Sequence, residues 1–113
     1  FYQWMDCDGH PENVASRDEL LDNVMMYWLP DAGASSARIY WESFGNTNLD
    51  VIELPVGCTL FPKEIFKTSE RWARARFTNL IHFEVMEKGG HFAAFEQPQA
   101  LVDQIQSCFR QLR

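Results

Sequence analysis

Leu80-Ile81-His82-Phe83-Glu84-Val85-Met86-Glu87-Lys88-Gly89-Gly90-His91-Phe92-Ala93-Ala94-Phe95-Glu96-Gln97-Pro98 is the stretch that decides the fold. The run 80–86 is mostly apolar and bounded by turn signals, as a buried strand of a parallel sheet should be. Lys88-Gly89-Gly90 ends it. Pro98 opens a helix whose expected inner face is Leu101, Val102, Ile105, Cys108, Phe109 and Leu112.

Upstream, Ser69 caps a short helix expected at 69–75, preceded by a β-branched, apolar strand at 54–60 that Phe61-Pro62 breaks. Strand, helix, strand, helix is an α/β unit with parallel pairing. Before it, Ser16-Arg17-Asp18-Glu19 has capping-box spacing. Leu20, Leu21, Val24, Met25 and Trp28 follow at helical intervals, so a helix is expected at 17–29, closed by Pro30 and Gly33. A second helix is expected at 35–43, and a turn at Gly45-Asn46-Thr47-Asn48. Two strands make too little sheet for a domain of its own, and Phe1-Tyr2-Gln3-Trp4 reads as mid-protein. The chain is expected to be the end of something larger.

Composition narrows the function classes. Hydrophobic residues are 46% of 113, enough for a packed core. A net charge of −6 repels phosphate backbones, which argues against nucleic acid as a partner. No apolar run approaches the roughly 20 residues that span a bilayer. Cys7, Cys58 and Cys108 are too few and scattered for a disulfide framework, and reduced thiols fit a cytoplasmic setting. No ligand spacing suggests a metal, and no cofactor motif is present.

His91 is the first candidate for chemistry, because in open α/β sheets functional groups collect at the carboxyl ends of strands. Glycines at 89 and 90 permit a sharp path that lifts the imidazole into a cleft. Glu64 lies just past the end of the other strand, where a carboxylate could fix the tautomer of the imidazole. Tyr40 could donate a phenolic hydrogen bond into a cleft. Each has a blander reading: a locally bonded loop histidine, an exposed first-turn glutamate, a half-buried packing tyrosine. On pattern alone those are the commoner outcomes. No nucleophile elbow is present, and Cys58 reads as an inert buried thiol.

The runs Asp18 to Trp28, Ser35 to Tyr40, Phe61-Pro62-Lys63-Glu64 and Gly89 to Glu96 resemble the C-terminal portion of epoxide hydrolases of the microsomal type. The resemblance covers nearly the whole chain, and its Gly-Gly-His-Phe-Ala-Ala-Phe-Glu segment is its most specific part. It implies the C-terminal part of an α/β-hydrolase fold. Residues 1–44 would be the end of the helical lid and return helices; 45–113 would be the last two parallel strands with their helices. It further implies that His91 activates water, that Glu64 is its charge partner, and that Tyr40 is one of two lid tyrosines holding the epoxide oxygen. The expected partner is a small apolar epoxide, with Trp28 as a substrate-binding residue; the aromatics near the lid, Trp28, Trp41 and Phe44, suggest bulky apolar groups on it. No cofactor or metal is implied.

The family's elbow aspartate, His-Gly-x-Pro loop and second lid tyrosine have no counterpart in these residues, so a complementary N-terminal segment is the expected partner. The chain alone is expected to be inactive. Self-association through an exposed sheet edge is also open to it. Two other readings compete: a non-catalytic remnant serving as an assembly module, and a dehalogenase-type α/β-hydrolase. Tyr40 argues against the second, since halide sites favour indole or amide N–H donors.

Overall fold

A computed structural model describes residues 1–45 and 50–113. The expected turn at 45–48 therefore lies, from residue 46 on, outside the described residues. The chain forms two compact units, Ala15–Leu49 and the combination of Phe1–Val14 with Asp50–Arg113. The sequence expectation drew its boundary at 44/45; residues 1–14 belong with the sheet.

The helical unit contains α1 (Arg17–Trp28) and α2 (Gly33–Ser43). The capping box forms as its spacing requires. Ser16 Oγ accepts the Glu19 N–H at 3.3 Å, and Glu19 Oε2 accepts the Ser16 N–H at 2.8 Å. At the other end Asp31, at φ +53°, closes α1. Ala32 N–H reaches Tyr27 O and Asp31 N–H reaches Trp28 O, the paired bonds of a Schellman motif. Pro30 and Gly33 were the expected terminators; the left-handed residue between them makes the turn. Neither helix buries a residue, and Val24, Trp28, Ile39, Trp41 and Phe44 are exposed. Their apolar faces thus contribute little to holding this unit together, and the caps matter more.

The other unit is built on β1 (Val56–Leu60) and β2 (Leu80–Val85), paired in parallel and linked through α3 (Glu70–Arg76). Beyond β2 come α4 (Ala93–Glu96), which the sequence did not announce, and α5 (Pro98–Arg110). A 3-10 turn at Pro11–Asn13 completes the elements. Met5, Cys7, Phe61, Ala73, Leu80 and Cys108 are the buried apolar residues of this unit.

Two expectations are adjusted. β2 is buried only at Leu80, half-buried through Phe83, and exposed at Glu84 and Val85. On α5 the side turned to the sheet is Leu101, Gln104 and Cys108, whereas Val102, Ile105, Phe109 and Leu112 are exposed. On that side Gln104 Oε1 meets His82 Nε2 of β2 at 2.7 Å, so a polar pair shares the interface with Leu101 and Cys108.

Candidate active site

The parallel pairing of the two strands continues past their ends. Met86 N–H donates to Leu60 O at 2.8 Å, Lys63 N–H donates to Gly89 O at 3.0 Å, and Lys63 and Gly90 form an isolated parallel bridge. Glu64 and His91 are each the next residue after that bridge. Neighbouring strands lie about 4.8 Å apart, so residues one step beyond a bridged pair start within side-chain reach. His91 Nδ1 and Glu64 Oε1 are 2.7 Å apart.

The electrostatics assign the proton. Partial burial pushes the Glu64 carboxyl up, but the hydrogen bond from His91, the Ile65 N–H, the His91 charge and the Phe66 N–H outweigh it, and its pKa falls below the ordinary value. Glu64 is then an anion at neutral pH and can only accept. His91 Nδ1 must carry the hydrogen in that bond. Nε2 is the nitrogen turned away from the carboxylate, and in a neutral ring with Nδ1–H it carries the lone pair that can take a proton from water.

The histidine is held from behind by the first residues of the chain. Its backbone N–H donates to Trp4 O at 2.8 Å, and its ring is edge-on to Trp4 and to Phe92, at 5.2 Å from each, the two being stacked on one another at 6.3 Å. Gly89, at φ +112°, sits where L side chains are strained, and a Cβ there would meet the Phe61 ring at 2.6 Å. Gly90 is packed against the backbone of residues 4–6, with a Cβ position only 2.5 Å from Trp4 O. Glycines were expected to give the loop its path; they also let a distant segment pack directly onto it.

Comparison with known proteins finds relatives of the chain as a whole. No protein-family model matches the chain. A provisionally named epoxide hydrolase of Stigmatella aurantiaca is 49% identical over 114 residues, spanning 100% of this chain and 26% of that protein. Epoxide hydrolase 1 of Oryctolagus cuniculus is 38% identical over 104 residues, spanning 87% of this chain and 23% of that protein. Over its matched length this chain is similar to epoxide hydrolases. The crystal structure of juvenile hormone epoxide hydrolase from the silkworm Bombyx mori superimposes with a TM-score of 0.86 at 25% identity. That match covers 98% of this chain and 31% of the silkworm chain. The chain spans about a quarter of the length of the curated relatives it matches, corresponds to the C-terminal portion of epoxide hydrolases, and has a partial α/β-hydrolase fold.

The remaining candidates stand on other elements. Tyr40 stands on α2, exposed, stacked on Phe44 with centroids 5.5 Å apart. Trp28, also exposed, lines an open groove of about 550 Å³ with Val24 and Tyr27 in the same helical unit. Cys58 is half-buried, and burial with the adjacent Cys108 raises its thiol pKa, which disfavours the thiolate a nucleophile needs. Among the described residues no three His, Cys, Asp or Glu side chains gather as a metal site would require. Trp4, Asp6 and Glu96 had not been singled out as site residues. Glu96 carried one signal, its place at the end of the motif containing His91; Trp4 and Asp6 carried none, since their partners lie more than 80 residues away.

Proposed function

We propose that this chain supplies the acid–base half of an epoxide hydrolase, completed by an N-terminal segment that brings the nucleophilic aspartate. The aspartate attacks an epoxide carbon, the C–O bond breaks, and an alkyl-enzyme ester forms. Tyr40 and a second phenol from the completing segment hydrogen-bond the epoxide oxygen and protonate the departing alkoxide. His91 Nε2 then takes a proton from water as its oxygen attacks the ester carbonyl. The ester is cleaved to a vicinal diol, the aspartate is regenerated, and the phenol regains its proton from the imidazolium. Glu64 orients the imidazole and stabilises its cationic form. Trp28 belongs to the apolar wall of the substrate site in this reading. The substrate class is a small apolar epoxide.

The observation that carries the reading is the 2.7 Å contact between His91 Nδ1 and Glu64 Oε1 at adjoining strand ends. Homology to epoxide hydrolases supports the choice of reaction. The test is complementation. The isolated chain should form no diol from styrene oxide, and co-expression with the N-terminal three-quarters of a homologous hydrolase should restore turnover. In the complemented protein His91→Ala should halt at the ester, seen as substrate mass retained on the aspartate-bearing segment. Turnover by this chain alone would overturn the division of labour; unimpaired ester hydrolysis in the variant would remove His91 from its role.

A further inference from the structure

Three constraints fall on the backbone around His91, and two acidic side chains supply two of them. Gly89 N–H donates to Asp6 Oδ2 at 2.9 Å, His91 N–H donates to Trp4 O at 2.8 Å, and Phe92 N–H donates to Glu96 Oε1 at 3.0 Å. The second Glu96 oxygen, Oε2, accepts the Asp6 N–H at 2.7 Å. Glu96 therefore ties the residue after His91 to the segment that holds the residues before it. It is 7% exposed, the buried polar residue of this unit.

A carboxylate suits that position for a reason. Two backbone N–H groups converge on its two oxygens, and a glutamine amide would turn an N–H₂ toward one of them. Burying a charge is costly unless it is hydrogen-bonded, and charge-assisted bonds to backbone N–H groups are among the stronger ones. Neither Asp6 nor Glu96 contacts Glu64 or the imidazole in any of these bonds. They act on the loop, not on the reacting atoms.

We propose that Glu96 and Asp6 are positioning residues for His91, clamping both sides of its backbone so that Nδ1 stays on Glu64 and Nε2 points outward. The inference rests on the reading of His91 as the base, but its test reads the imidazole directly. In the ¹⁵N-labelled chain, the Nδ1–H of His91 should give a downfield proton resonance, which Glu64→Gln moves or abolishes and so identifies. Glu96→Ala and Asp6→Ala should each broaden or shift that resonance upfield while the far-ultraviolet dichroism of the chain is kept. Glu96→Asp, which retains both oxygens, should restore part of it. In the complemented protein the same variants should lower kcat on the order of a hundredfold, with KM little changed.

An unchanged resonance in folded Glu96→Ala and Asp6→Ala would overturn the proposal. Should both variants unfold, amide exchange in the unmodified chain decides. One shared opening rate for Asp6, Gly89, His91 and Phe92, lost together with the imidazole N–H, supports the clamp, and independent rates refute it. Failure of complementation with an intact resonance response would count against the proposed reaction and leave the clamp standing.

Discussion

Trp4 holds His91 twice, by a carbonyl that accepts its backbone N–H at 2.8 Å and by an indole set edge-on to its imidazole at 5.2 Å. The two contacts separate by mutation. Trp4→Ala keeps the carbonyl and removes the ring, and it should destabilise the sheet unit by about 1 kcal/mol, the worth of an aromatic pair beyond its area. Trp4→Phe should recover most of that. Urea midpoints of the three proteins check it; equal midpoints would mean that the indole contributes no packing.

The Glu64 carboxyl gives the acid limb of stability a definite sign. Its folded pKa lies below the ordinary 4.5. As pH falls past that value the unfolded chain takes up the proton first, so the stabilisation present above 4.5 is lost as pH falls through the lower, folded value. Urea midpoints measured between pH 6 and pH 3 should therefore fall less steeply in Glu64→Gln than in the unmodified chain. Parallel acid limbs would contradict the hydrogen bond between Glu64 and His91.

Gly90→Ala places a methyl 2.5 Å from Trp4 O and 3.0 Å from both Asp6 N and Glu96 Oε1. Two of those neighbours are backbone atoms and cannot rotate aside. We expect a loss of about 1–3 kcal/mol, typical of overpacking, with faster amide exchange at His91. Gly33→Ala, where nothing lies within 4 Å, is the control and should be neutral or stabilising.

The parts of the fold legible in the sequence were those written in local chemistry. Ser16 and Glu19 are three residues apart, and a hydroxyl and carboxylate at that spacing can do little but cap. β1 and β2 declared themselves by apolar runs, and the helix between them required parallel pairing. Glu64 and His91 were each placed just beyond a strand end, and parallel register brought them together. What escaped notice was carried by contacts without period or spacing. Asp6 meets Glu96 across 90 residues, and no pattern around residue 6 marks it. On α5 apolar periodicity pointed to Leu101 and Cys108, which do face the sheet, but it held no sign of Gln104, whose partner His82 lies 22 residues away.

The close of α1 offers a test of local origin. Asp31 adopts φ +53°, a conformation that costs most side chains about 1–2 kcal/mol and glycine nearly nothing. Asp31→Gly should thus lengthen the lifetime of the last turn of α1, with slower exchange at the Asp31 and Ala32 amides that close the Schellman motif. Asp31→Val should do the opposite. The effects should appear as amide-exchange changes within the helical unit.

Tyr40→Phe separates the two halves of the proposed reaction. The variant keeps the ring stacked on Phe44 and removes only the hydroxyl, so the packing of α2 should be unchanged. In the complemented protein the phenol is needed when the epoxide opens, because negative charge develops on its oxygen then. Loss of such a donor typically slows the step it serves on the order of a hundredfold. In the proposed reaction ester hydrolysis places its charge on a different oxygen, with His91 as base. Single-turnover measurements should therefore show slow ester formation followed by hydrolysis at the normal rate, the reverse of His91→Ala, where ester forms at the normal rate and persists. If Tyr40→Phe slowed both steps equally, the hydroxyl would be supporting the fold or substrate entry, and the oxygen would have to draw its hydrogen bonds from the completing segment alone.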